Sequence, residues 1–262
     1  MIGNLLLNKI FWSITTTFAF FAALSGVVVK GLYLNLFPKD FLPGAFPQDV
    51  LTMIVCVFLY ILIASTKQHD VKKQIVIIGL IGSFFYLYGI FTIERVYNWC
   101  YLLYVLVFAS SFWSIIYSLS GFRSEAFLRM RLPDRMLRTT ALSSIIIAFL
   151  FTGLWTTALI PLMRDRNRIE YLYSIYILDL CFVMPAFVII AVMSLRRMPL
   201  GTLLAPAIML LGFFVIFPLG LNELAKPSAG MAINYGPMAV SFLFAGYMLI
   251  IVILHLKMLR FE

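Results

Sequence analysis

Residues 172–197 read LYSIYILDLCFVMPAFVIIAVMSLRR. Twenty-four residues pass before the Arg196-Arg197 pair, and among them only Asp179 carries a full charge. A helix needs about 20 mostly apolar residues to cross roughly 30 Å of hydrocarbon, and this segment supplies them in one run. Seven further runs approach the same length: 10–29, 49–66, 75–93, 99–119, 141–162, 201–220 and 237–256, with 172–194 the sixth in order. The expected fold class is an all-α integral membrane protein of eight transmembrane helices, forming one polytopic domain over residues 1–262.

Composition agrees. The chain is 63% hydrophobic and 12% charged, with a mean hydropathy of +1.02, 25 Phe and 13 Tyr. The longest loops are about 20 residues, too short to hold an independent core. The net charge of +9 is placed by topology and does not imply a nucleic-acid partner. Lys9, Lys67, Lys72, Lys73, Arg123, Arg129, Arg131, Arg135, Arg138, Arg196, Arg197, Lys257 and Arg260 fall at one end of the spans. Lys30, Lys39, Arg95, Arg164, Arg166, Arg168 and Lys226 fall at the other. The positive-inside bias then puts both termini in the cytoplasm and the protein in the cell (inner) membrane. The first run ends in small residues, Ala22 to Gly26, as a signal peptide does, but its apolar core exceeds the usual 7–15 residues and it reads as an uncleaved span.

Asp49 opens the second run and Asp179 lies early in the sixth, 130 residues apart. Lys9 and Arg138 precede the first and fifth runs at nearly that offset. The pattern suggests a 4+4 repeat whose halves, each with an even number of spans, run parallel about an axis along the membrane normal, as in some transporters.

An acid inside a span is costly and faces the protein interior or water, so it marks a functional candidate by default. Asp179 comes first. Pro185, six residues on, removes the helical donor to the Cys181 carbonyl and favours a kink beside the carboxylate; the structural alternative is that Asp179 staples a neighbouring helix through a hydroxyl. Asp49 has an ordinary reading as a helix N-terminal residue after a loop punctuated by Pro38, Pro43 and Pro47. Glu94 and Glu223 close the third and seventh runs at the same membrane face. Between the acids stand Tyr86 and Tyr88 in the third run, and Tyr97, Tyr101 and Tyr104 on one face of the fourth. Interfacial tyrosines are common, yet Tyr104 lies about 10 Å along the helix from Tyr97. Asp179, Asp49, Glu94, Tyr86, Tyr88, Tyr101 and Tyr104 are therefore the binding or coupling candidates, able to hold a cation through charge and ring faces or to pass protons.

Familiar catalytic patterns are missing. His69 and His255 are the two histidines, so H-E-x-x-H and three-histidine metal sites are excluded; no metal or cofactor is expected. The cysteines Cys56, Cys100 and Cys181 form no C-x-x-C pair and read as small apolar residues. Ser110 and Ser111 suit helix packing. The segment Gly121 to Thr140 interleaves Arg123, Arg129, Arg131, Arg135 and Arg138 with apolar residues, and is expected to be a surface helix on anionic lipid headgroups, interrupted near Pro133.

The Gln48-Asp49 pair, Tyr86 with Tyr88, Leu178-Asp179-Leu180 with Pro185, and the run Arg196-Arg197-Met198-Pro199-Leu200-Gly201 with Ala205-Pro206 and Leu211-Gly212 resemble a group of uncharacterised bacterial multi-pass inner-membrane proteins. The resemblance covers the second to seventh runs and brings no activity with it, only added interest in Asp49 and Asp179. Three function classes follow from the residues. One is a carrier or permease for a small solute, coupled to protons or cations through the acids. The second is a non-catalytic membrane partner, assembly or sensor subunit. The third is a membrane-embedded enzyme acting on lipid or quinone, disfavoured by the lack of histidine near the acids.

Overall fold

The computed structural model describes residues 3–121 and 130–261. Eight helices are each long and apolar enough to cross a bilayer: α1 (Leu5–Val28), α2 (Leu42–Ser65), α3 (Val71–Ile93), α4 (Tyr101–Ser120), α5 (Asp134–Asp165), α6 (Tyr173–Leu195), α7 (Pro199–Ala225) and α8 (Tyr235–Met258). The outward faces are apolar: Leu102, Phe149 and Leu243 are 75%, 69% and 73% exposed, a surface that lipid covers and water does not. A two-residue ribbon pairs β1 (Met130–Arg131) with β2 (Arg260–Phe261), tying the C-terminal tail to the start of α5.

Six of the eight helices begin earlier than hydropathy alone predicts, all but α4 and α6, because polar and proline-bearing turns can still be helical. The Asn4 side chain caps α1 by accepting from the Leu7 N–H at 3.1 Å. Pro43 occupies the first turn of α2, where its missing N–H has no helical partner to lose. Asp49 is therefore seven residues inside the helix and 2% exposed, which overturns the helix-capping alternative. Likewise α5 starts at Asp134, so residues 134–140 continue the fifth span and are not part of a separate surface helix. At 32 residues, α5 is about 48 Å long and must tilt or protrude.

The helix α3 and the helix α7 form the centre: 78% and 72% of their apolar windows are buried, against a third or less elsewhere. Glycines let them meet. A Cβ on Gly79 would lie 2.9 Å from the Ala207 carbonyl oxygen, and one on Gly82 would lie 3.0 Å from Leu211. Those partners are 128 and 129 residues apart, close to the Asp49–Asp179 offset, so each residue crosses near its own counterpart. The surrounding pairs echo this: α1 packs on α2 as α5 does on α6, α3 on α4 as α7 on α8, and α2 on α7 as α6 on α3. The echo breaks at α2 and α3, which touch less than α6 and α7 do, and at α1 and α4, which pack closely through a buried polar ladder. There the Trp12 indole N–H donates to Ser118 Oγ (3.0 Å), Ser118 donates to Asn8 (2.7 Å), and Thr15 pairs with Ser114 (3.0 Å). Such hydroxyl and amide contacts are a usual means of joining helices in lipid. Helices α5 and α8 touch less, with Thr140 hydrogen-bonded to His255.

Candidate functional site

Asp179 begins a π turn, Asp179–Val183, in which the Met184 N–H reaches back to the Asp179 carbonyl. The turn sits directly before Pro185. The sequence led us to expect a proline kink, and the irregularity is taken up by the π register, a form that concentrates at functional sites. The carboxylate is 3% exposed. Its Oδ2 accepts from the Trp155 indole N–H on α5 at 2.6 Å, and the Tyr86 hydroxyl on α3 also faces it. Oδ1 is buried and has no partner. Asp179 lines a cavity of about 30 Å³ together with Val183, Phe187, Phe151, Ile216 and Met248 among others. Rings surround the carboxylate: Trp155 lies 5.5 Å from Tyr176 and 6.3 Å from Phe151, centroid to centroid.

Asp49 occupies the corresponding place in the first half, where α2 meets the end of α1. Its Oδ2 accepts from the Tyr33 hydroxyl at 2.9 Å. Gly26 lies so close that a Cβ there would fall 1.8 Å from Oδ2; only glycine leaves room for the acid. Tyr33 belongs to the α1–α2 connection, and burial, followed by the neighbouring Asp49 carboxylate, holds its phenol well above its ordinary pKa. An open pocket of about 450 Å³ at this end is lined by Gly26, Lys30, Tyr33 and Phe46 among others, so the two residues that touch Asp49 also face it.

The tyrosines divide between the two acids. Residues two apart on a helix point to different faces, and Tyr86 turns to Asp179 while Tyr88 donates to the Ala19 carbonyl on α1 at 3.1 Å. Tyr104 packs on Tyr88 (5.9 Å) and Phe91 (5.1 Å), and accepts from Asn98 at 3.1 Å. Tyr101 is elsewhere: its hydroxyl bonds the Thr92 carbonyl at 3.0 Å, and its ring meets Tyr97 at 4.7 Å. The central helix α3 thus separates two clusters, instead of the acids and tyrosines sharing one hydrated space.

Glu94 and Glu223 are brackets at the end of the bundle opposite the termini. Glu94 Oε1 accepts from the Ser174 N–H at 2.8 Å, stitching α3 to the start of α6, where the Tyr173 hydroxyl also bonds the Ile93 carbonyl. Its Oε2 has no partner. Glu223 pairs with Lys226 at 2.6 Å and accepts from the Asn234 N–H at 3.0 Å. At the basic end, Arg135 is exposed in the first turn of α5 and Arg131 is exposed in β1; Arg129 lies outside the described residues. Among those residues, no group of three His, Cys, Asp or Glu is arranged to hold a metal.

Comparison with protein-family models, with curated proteins and with solved structures found no match.

Sequence reasoning passed over Trp155, Tyr33 and Gly26. For Trp155 a signal was there: an indole N–H deep in an apolar span needs an acceptor, as Trp12 does. No local signal marks Gly26 or Tyr33, since each matters through a residue on another segment.

Proposed function

We propose that this protein is a multi-pass carrier of the cell (inner) membrane, with both termini in the cytoplasm, that moves a small solute in exchange for protons or cations bound at Asp179 and, in the other half, Asp49. The observation that carries this reading is a buried Asp179 that lines a cavity and whose Oδ1 has no hydrogen-bond partner. A buried carboxylate with neutral partners and a free lone pair is an expensive arrangement for stability alone, and suits a group that takes up and releases a cation or proton. The rare π turn at the same residue supplies a backbone able to change register, and the repeated placing of an acid in each half matches the way carriers are built around paired elements. At the other end, the arginines including Arg129, Arg131 and Arg135 are suited to anionic headgroups.

The test uses purified full-length protein in liposomes loaded with the pH indicator pyranine and given a panel of amines, amino acids and sugars. A solute that drives proton movement in the parent, and none in Asp179→Asn, is the expected result. Solute-driven proton movement unchanged in Asp179→Asn refutes the role of Asp179.

A further inference from the structure

A second, larger space lies close to Asp179. Between α4 and α6, with α3 and α7 as its floor, is an open apolar cleft of about 320 Å³. Its α6 wall is the stripe Phe182, Ala186 and Ile190, spaced by one helical turn each and spanning about 12 Å. Gly79 and Gly82, where α3 meets α7, lie on the floor. Val183 lines both this cleft and the cavity beside Asp179. It is the last residue of the π turn, so a buried side chain on backbone outside regular α register lies at the boundary of the two spaces.

We infer that the cleft is a lateral route from the bilayer by which an amphiphile with an alkyl chain and a primary ammonium head reaches Asp179. The chain would lie along Phe182, Ala186 and Ile190, and the head would pass Val183. The small cavity would then hold the head between the unpartnered Oδ1 and the ring of Phe151, which lines the cavity, beside Trp155. Charge decides the sign of the head: a buried acid whose hydrogen-bond donor, the Trp155 indole N–H, is neutral is complemented by a cation. Volume decides its substitution. Beside the cleft of about 320 Å³, the space at Asp179 is small, about 30 Å³, and a primary ammonium enters it more readily than one carrying three methyl groups. The proposal rests on the reading of Asp179 as the binding acid, and specifies the chemistry it binds.

The experiment is scintillation-proximity binding of radiolabelled dodecylammonium to the immobilised full-length protein in detergent. Saturable binding is expected, weakened at least tenfold by Asp179→Asn, and also by Ala186→Phe, which fills the cleft. Ile116→Trp is the second cleft variant; Ile116 lines the cleft from its lipid-exposed edge and tolerates bulk. Dodecyltrimethylammonium should compete at least tenfold less well than unlabelled dodecylammonium, a readout that needs no variant. Absence of saturable binding overturns the proposal, as does binding indifferent to Asp179→Asn, to both cleft variants or to head-group methylation. Loss of proton-coupled flux with this binding intact would refute the carrier reading alone. Flux of another solute without this binding would refute the amphiphile alone.

Discussion

Gly26→Ala tests the Asp49 site with a single methyl group. Two effects oppose each other. Alanine favours a helix over glycine by at most about 1 kcal/mol, and less so near the end of α1. Against that, the new Cβ would sit 1.8 Å from Asp49 Oδ2, 2.7 Å from its Cγ and 2.6 Å from the Tyr33 hydroxyl, all well inside contact distance. The carboxylate must swing away and the Tyr33 bond must break. Overpacking of this kind costs about 1–3 kcal/mol, and the lost hydrogen bond adds about 1 kcal/mol. The net expectation is destabilisation of about 2 kcal/mol, read by reversible unfolding in mixed micelles. In an Asp49→Ala background the carboxylate is gone and the Tyr33 hydroxyl, no longer held by it, is free to turn aside, so Gly26→Ala should be nearly neutral, giving a coupling energy of about 2 kcal/mol in the double-mutant cycle. Equal effects of Gly26→Ala in the two backgrounds would refute the reasoning, as would a neutral effect in the parent.

Lys226→Met leaves Glu223 largely buried and without its cation; it should destabilise by about 2 kcal/mol, a value below that of a deep pair because water is near the helix end, and Glu223→Gln should restore most of it in unfolding measurements. Below about pH 10, Tyr33 is protonated in both folded and unfolded states; above it the unfolded chain ionises while the raised folded value keeps Tyr33 neutral, so stability falls as pH rises. Unfolding curves from pH 9 to 11 should accordingly be flatter for Tyr33→Phe than for the parent, and equal slopes would contradict the burial of this phenol. Changing Arg129, Arg131 and Arg135 together to Gln should weaken retention of phosphatidylglycerol by the purified protein by about 1 kcal/mol per residue at low salt; retention that ignores both salt and substitution would remove the electrostatic argument. Topology reporters at His69 and Glu262 should report cytoplasm and one at Lys39 the outside; any other pattern reverses the proposed orientation.

The sequence by itself determined the eight spans and the presence of acids within them, because transfer of a segment into hydrocarbon depends on the summed character of about 20 consecutive side chains, which is readable along the chain. It also singled out Asp49, Asp179 and their spacing. Tertiary structure decided what those residues meet. Asp49 looked like a helix cap because Pro43 and Pro47 looked like loop, and packing of the first turns of α2 buried it instead. Tyr86 and Tyr88 looked like a pair, and the helical rotation between them sends Tyr86 to Asp179 and Tyr88 to the Ala19 carbonyl on α1. Trp155, Tyr33 and Gly26 come to Asp179 and Asp49 from other segments, 16 to 24 positions away. Contacts of that kind depend on how helices rotate and tilt against one another, and hydropathy, a property of each segment alone, carries no record of it.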